Sequence, residues 1–368
     1  MVSGPRRFFA GDAMTVRILR TALAQFTKAG VGVRPPMRSA YSRRDSSGLY
    51  LATLGGVAIV FLTAFWFVLA ALNGMGLLPP PQLSNNLCID EKLAYLRAHP
   101  IEQPTILTVG SSVAWRSIDS GVVRETSDGQ SVPLNGAFCG LKMNQTEFAA
   151  GYLLGHYPSV QSVVLIISPL DLSECSTTNA QVFDPNDING FVFRHDTVFA
   201  FYLKYFDPLT LAKNVLILRS MRDGALPLDS MLIDQYGDGP LQTDATREDL
   251  VYGALPAADQ ACLSSLSKLA ADIKAQDRRL IVVSMPMSPV WKARYDASGA
   301  FIHDMTRDIQ RAVAGTGAMF WDANRDFQMD PSDFTDAIHI RWSAAKVFSR
   351  ALVLATGLGA DPHGVSNN

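Results

Sequence analysis

The chain lacks any surplus of positive charge. Its 32 lysines and arginines stand against 34 acidic residues, a net charge of −2, so it carries no electrostatic footprint for nucleic acid. It has no Gly-x-Gly-x-x-Gly turn and no Walker loop, and no nucleotide cofactor is expected. Cysteine is scarce: Cys88, Cys139, Cys175 and Cys262 are the only four. Their spacing to the histidines has no zinc pattern, and no metal is expected. Charge is missing altogether from residues 50–72, YLATLGGVAIVFLTAFWFVLAAL.

That uncharged run is long enough to cross a hydrocarbon core of about 30 Å as a helix. It exceeds a usual signal-peptide core and has no small-x-small cleavage site, so it is expected to be one transmembrane helix over residues 49–73. Before it stand Arg6, Arg7, Arg17, Arg20, Lys28, Arg34, Arg38, Arg43 and Arg44 against Asp12 and Asp45. This asymmetry predicts a cytoplasmic basic segment over residues 1–48, with the remainder outside an inner (cytoplasmic) membrane. Within that segment, residues 14–28 have the pattern of a basic amphipathic helix, and Met14 and Met37 are alternative starts. After the helix, Pro79, Pro80 and Pro81 followed by polar residues predict a stiff tether over residues 74–87. All four cysteines then fall on the oxidising side. They suit one or two bridges among three pairings, or leave Cys139 and Cys175 as small buried core residues.

From residue 88 onward short apolar strands alternate with amphipathic helices. Strands are expected at 105–109, 131–135, 162–167, 279–284 and 318–321, and helices at 89–99, 145–156, 259–276, 301–314 and 342–354. Strands joined by crossover helices predict an α/β domain over residues 88–357 built on a parallel sheet, with its chemistry at the carboxyl ends of the strands. Residues 176–258 interrupt the alternation for too long to be a simple connection. Their aromatics, Phe183, Phe191, Phe193, Phe199, Phe201, Tyr202, Tyr205 and Phe206, suit either a helical lobe packed on the core or a lid or docking surface. His195 and Asp196 read as ordinary loop residues, and residues 358–368 as a flexible tail.

Two fragments carry chemistry. Gly110-Ser111-Ser112 follows the first strand directly, and Asp336-Ala337-Ile338-His339 lies near the C-terminus. A carboxylate three residues before a histidine can hold the imidazole in one tautomer, ready to deprotonate a serine beside it. The predicted site is therefore Ser112 as nucleophile, His339 as base and Asp336 as orienter. Asp171, at the end of the central strand, is read as interacting with the loop that carries Ser112 or as capping its own turn. Arg341 and Trp342 are read as lining a sugar- and carboxylate-binding cleft or as surface and core residues.

These fragments resemble the SGNH, or GDSL-like, hydrolase superfamily, in particular its membrane-tethered branch of alginate O-acetyltransferase and teichoic-acid D-alanyl transfer proteins. The resemblance covers roughly residues 88–357. It implies a three-layer flavodoxin-like fold with about five parallel strands. It also implies that Ser112 and Gly140, within Asn135-Gly136-Ala137-Phe138-Cys139-Gly140, supply oxyanion-hole N–H groups, and Asn135 belongs to the same block. The chain departs from the family at Ser168-Pro169-Leu170-Asp171, where leucine stands in place of the oxyanion asparagine. By this resemblance and the anchor, the expected activity is transfer of an acyl group through an acyl-serine to polysaccharide hydroxyls. The donor would be a multispanning membrane acyltransferase. Alternatives are a carbohydrate esterase acting on acyl esters, a non-catalytic scaffold binding glycan or a membrane partner, and a structural subunit of an envelope secretion complex.

Overall fold

The computed structural model describes residues 45–127, 129–247 and 252–359. Residues 1–44, which include the expected amphipathic helix, and most of the tail lie outside the described residues. The chain divides into two compact units between Val68 and Leu69.

The first unit is, in its described part, the body of helix α1, Asp45–Gly74. Its span Ser47–Gly74 is long and apolar enough to cross a membrane, the one such helix among the described residues. Leu51, Ile59, Val60, Phe61 and Phe67 are exposed along it, as a helix apolar on all sides requires if lipid is its solvent.

In the second unit the chain after α1 is not the free tether that its prolines predict. Pro79, Pro80, Pro81 and Leu83 are buried. The Arg222 guanidinium donates to the carbonyls of Gly76 and Leu78, and Tyr202 Oη donates to that of Pro79. Proline has no N–H to satisfy, so a proline run can be buried once its carbonyls find donors, and the insertion supplies them. Helix α2, Leu87–Ala98, follows, capped by Asn86.

The sheet is five-stranded and parallel throughout, in the order β2-β1-β3-β4-β5. The strands are β1 Ile106–Gly110, β2 Pro133–Asn135, β3 Ser162–Ile167, β4 Arg279–Ser284 and β5 Met319–Asp322. This is a doubly wound α/β order. The strands read as continuous apolar runs because both faces are covered. Val163, Leu165 and Ile167 point into one core with Leu107, Leu280 and Val282. Val164 and Ile166 point into the other with Ile106, Ile281 and Val283, as a period of two dictates.

Helices α3 (Ser112–Ser117) and α4 (Ser120–Thr126) follow β1, and α5 (Met143–His156) follows β2. After β3 the insertion contributes α6 (Val198–Lys204) and α7 (Pro208–Arg222), and α8 (Gln260–Ala275) leads to β4. Helices α9 (Pro289–Tyr295) and α10 (Ala300–Val313) precede β5, and α11 (Trp342–Thr356) closes the fold. In the insertion Phe183, Phe191, Phe201 and Tyr202 are buried and Phe206 is 58% exposed. The lobe therefore packs mainly as an extension of the core.

The cysteines pair as Cys88–Cys139 and Cys175–Cys262. The first ties α2 to the loop after β2, and the second ties the loop after β3 to α8. Across separations of 51 and 87 residues the chain-entropy account gives about 4 kcal/mol for each bridge. The Cys88–Cys139 bridge also fixes the residue next to Gly140. The double variant Cys88→Ser/Cys139→Ser is expected to lose a comparable stability, read as a lower denaturant midpoint. If Gly140 serves the site, kcat also falls by up to about 10²-fold, because a displaced oxyanion donor is a misplaced one.

Candidate active site

Strand β1 ends at Gly110, whose φ is +143°. A Cβ there would sit 2.6 Å from both the Ala114 Cβ and the Ile166 carbonyl oxygen, so only glycine lets β1 turn this tightly against β3. The chain then starts α3 at once. Ser111 caps it, its Oγ accepting from the Val113 N–H at 3.3 Å, and Ser112 becomes its first residue. As such, its own N–H lies ahead of the helix's hydrogen-bond ladder.

The histidine comes from the other end of the chain, on a tight loop between β5 and α11. An antiparallel bridge between Phe334 and Ile340 closes that loop, and the Thr335 N–H donates to the His339 carbonyl at 2.9 Å. Within it, Asp336 Oδ1 accepts from the N–H groups of Ile338 and His339, both at 2.8 Å. The other oxygen, Oδ2, lies 2.8 Å from His339 Nδ1. His339 Nε2 then lies 2.9 Å from Ser112 Oγ. With the carboxylate at Nδ1, the neutral ring carries its proton there and presents Nε2 as acceptor to the serine hydroxyl.

Burial pushes the Asp336 carboxyl up. The hydrogen bond and charge of His339, with the two N–H groups, outweigh it, so the group ends below its ordinary value and stays ionised as an orienter must. The side chains of His339 and Asp336 are only 14% and 6% exposed.

The three residues border a cavity of about 210 Å³, lined also by Cys88, Cys139, Arg116, Met221, Met231 and Leu241 and, on its polar side, by Asp229, Arg247, Tyr252 and Thr335. Much of this wall, from Met221 through Tyr252, comes from the insertion. Its segment around residue 238 is pinned from below by buried groups. Lys92 Nζ donates to the Gly237 carbonyl, Trp115 Nε1 donates to the same oxygen at 3.0 Å, and Ser120 N–H donates to Asp238 Oδ2 at 2.7 Å. Burial and the nearby charge of Asp234 push Asp238 up, and burial pushes Lys92 down against the opposing pull of Asp238 and Asp234.

Gly140 has φ +68° and is exposed in the turn beside Cys139. Leu170 stands in a 3-10 turn, Pro169–Leu172, half-buried, with its carbonyl accepting from Lys142 Nζ at 3.1 Å. Asp171 caps its own turn, its Oδ2 accepting from the Ser168 N–H at 2.8 Å. Its carboxyl is buried beside Ser111, the residue before Ser112. Burial raises it to about 6.

That elevation has a sign. The native state binds this proton more tightly than an unfolded chain with the ordinary value of 3.8. The contribution is therefore full below about pH 4 and is lost as pH rises through about 6. Asp171→Asn is expected to narrow the difference in melting temperature between pH 5 and pH 8 relative to wild type. An unchanged difference would mean the carboxyl does not titrate there.

Neither Gly140 nor Asp171 lines the cavity, and three further candidate residues do not reach it either. Asn135 is fully buried, with Nδ2 donating to the Ala114 and Trp115 carbonyls at 3.4 and 3.2 Å and to Asp238 Oδ1 at 2.8 Å. It is a bolt between β2, α3 and the insertion. Arg341 is not a cleft cation, because backbone carbonyls consume its guanidinium: Ser332 at 2.7 Å, Thr243 at 2.5 Å and Ala245 at 3.1 Å. Trp342 packs half-buried on the α3/α11 side of the core.

Conversely, Arg116, Asp229, Arg247 and Tyr252 escaped the sequence reading. Arg116 lies one helical turn after Ser112, so its position facing the same cavity could have been inferred from that spacing. The other three stand on irregular segments with no motif. Among the described residues no group of three or more His, Cys, Asp or Glu side chains is placed to hold a metal ion.

No protein-family model and no curated protein matches this chain. Among solved structures it is similar to a putative arylesterase from Agrobacterium tumefaciens, at 13% identity and a TM-score of 0.38, over 68% of this chain and 97% of that one. It is also similar to the native aryl esterase of M. smegmatis, at 11% identity and a TM-score of 0.34, over the same shares of each chain. At these TM-scores the likeness lends no weight to any function.

Proposed function

We propose that the protein is a serine-dependent acyl-transfer enzyme of SGNH type. It forms an acyl-serine on Ser112 and passes the acyl group to a hydroxyl of a cell-envelope carbohydrate. The observation that carries this reading is the continuous relay from Asp336 Oδ2 through the His339 ring to Ser112 Oγ, at 2.8 and 2.9 Å, at the wall of a cavity.

In the first half-reaction Ser112 Oγ attacks the ester carbonyl carbon while His339 Nε2 takes its proton. Asp336 stabilises the imidazolium, which returns that proton to the departing alkoxide. The N–H groups of Ser112 and Gly140 receive the oxyanion. In the second half-reaction the same imidazole deprotonates the acceptor hydroxyl, which attacks the acyl carbon; the bond to Ser112 Oγ breaks and the imidazolium returns the proton to that oxygen. With Leu170 where a third donor would stand, the site forgoes about 2.7 to 4 kcal/mol of transition-state stabilisation, so a slow enzyme is expected.

The apolar span favours transfer over hydrolysis, because an anchored enzyme can take acyl groups from a membrane-embedded acyltransferase and meet nascent glycan. The two disulfides suit the oxidising side of a bacterial inner membrane, and the N-terminal arginines suit a cytoplasmic N-terminus.

The test is full-length protein in detergent with p-nitrophenyl acetate, with and without an oligosaccharide acceptor. Faster p-nitrophenol release and acetylated sugar are expected when the acceptor is present. Acetate as the sole product would replace transfer by hydrolysis, and no release beyond the Ser112→Ala background would remove both.

A further inference from the structure

Within the cavity that holds Ser112 the charged groups are unevenly matched. Asp336 is engaged by His339, and Asp229 by an ion pair with Arg247. That leaves Arg116. It is 7% exposed, its Nη2 donates to the Ser230 carbonyl at 2.8 Å, and its guanidinium lies 4.4 Å from the centre of the Trp115 ring. Its Nη1 has no hydrogen-bond partner among the described residues. Trp115 is itself fixed through its indole N–H to Gly237, so the guanidinium is held at a set place and angle. A buried cation with an idle donor, at the wall of a cavity, is a group prepared for a ligand.

We infer that the Arg116 guanidinium, with Arg247 beside it, forms a subsite for a carboxylate on the substrate, one helical turn from the attacking serine. The inference rests on the acyl-transfer reading of Ser112. A planar carboxylate matches the guanidinium fork. A doubly charged phosphate is disfavoured, because Asp229 and Asp336 line the same space. The remaining walls, Met221, Leu228, Met231 and Leu241, suit the apolar flank of a sugar ring or an acyl chain. Burial lowers the Arg116 pKa to about 10, which leaves it charged at neutral pH. The carboxylate belongs either to a uronic acid on the acceptor side or to a dicarboxylic half-ester on the acyl side.

Binding is measured by calorimetry on the full-length chain in detergent, in wild type and in Ser112→Ala so that turnover does not intervene. The probes are glucuronate against glucose, succinate against its dimethyl ester, and inorganic phosphate. At least one carboxylate is expected to bind about tenfold or more tightly than its neutral twin, and the pair that does so identifies the source. Arg116→Gln should abolish that preference, and Arg116→Lys should restore part of it. Should Arg116→Gln fail to melt cooperatively, Arg116→Lys alone decides, with the preference reduced but not lost, because a lysine keeps the charge and lacks the fork. Equal binding of charged and neutral twins, a preference undiminished by either substitution, or phosphate binding above both carboxylates would overturn the subsite. Carboxylate binding without p-nitrophenyl acetate turnover would instead retain the subsite and sink the acyl-transfer reading.

Discussion

Ser112→Ala lowers turnover of p-nitrophenyl acetate by about 10³-fold or more, while the melting transition stays close to that of wild type. The size follows from what the hydroxyl alone provides. Without it, His339 can only activate water, and no covalent intermediate divides the reaction into two smaller barriers. The small effect on stability follows from its surroundings. Ser112 is only partly buried, and its Oγ interacts with the His339 ring, while the cap that starts α3 belongs to Ser111. Loss of activity together with a shifted melting transition would point to a structural serine instead.

Asp336→Asn is expected to cost about 10⁴-fold in kcat, through a tautomer rather than through unfolding. Asp336 Oδ1 holds two backbone N–H groups, so in the variant the amide oxygen keeps that position and the NH₂ faces Nδ1. The ring must then accept at Nδ1 and carry its proton on Nε2, pointed at a serine oxygen it can no longer deprotonate. Wild-type stability has a matching dependence on acid. The folded carboxyl lies below its ordinary value of 3.8. Its contribution to stability is therefore present above that value and is lost only as pH falls through the lower folded one. The asparagine variant should lack that acid-side loss of stability. An activity near wild type in Asp336→Asn would mean that the ring takes its orientation from elsewhere.

The core of the fold and the Asp336–His339 half of the relay were legible because both are written locally, whereas the meeting with Ser112 spans 227 residues. β3 and β4 are uninterrupted apolar runs, and their expected bounds agree with the observed Ser162–Ile167 and Arg279–Ser284. At β2 the strand starts at Pro133 rather than at residue 131, a boundary set by pairing with β1 rather than by composition. The Asp336–His339 geometry is likewise local, since a loop of that length lets one carboxylate cap the backbone and orient the ring. The cavity wall was not legible. Asp229, Arg247 and Tyr252 are brought to Ser112 by a segment with no period, held through buried Asp238, Asn135 and Lys92. No sequence spacing announces such contacts. Of the two readings of Arg341, the cleft one fails for the complementary reason. Its nearness to His339 in sequence suggested a cleft residue, yet the carbonyls of residues 243, 245 and 332 had first claim on it.

The account comes down to which atom carries the acyl group. Full-length protein mixed with p-nitrophenyl acetate, quenched in acid within the first turnovers, digested and mapped by mass spectrometry should yield one acetylated peptide. The modification should lie on Ser112, be absent from Ser112→Ala and accumulate more slowly in His339→Ala. Acetyl on a lysine or another hydroxyl at the same rate in all three proteins, with Ser112 unmodified, would contradict it.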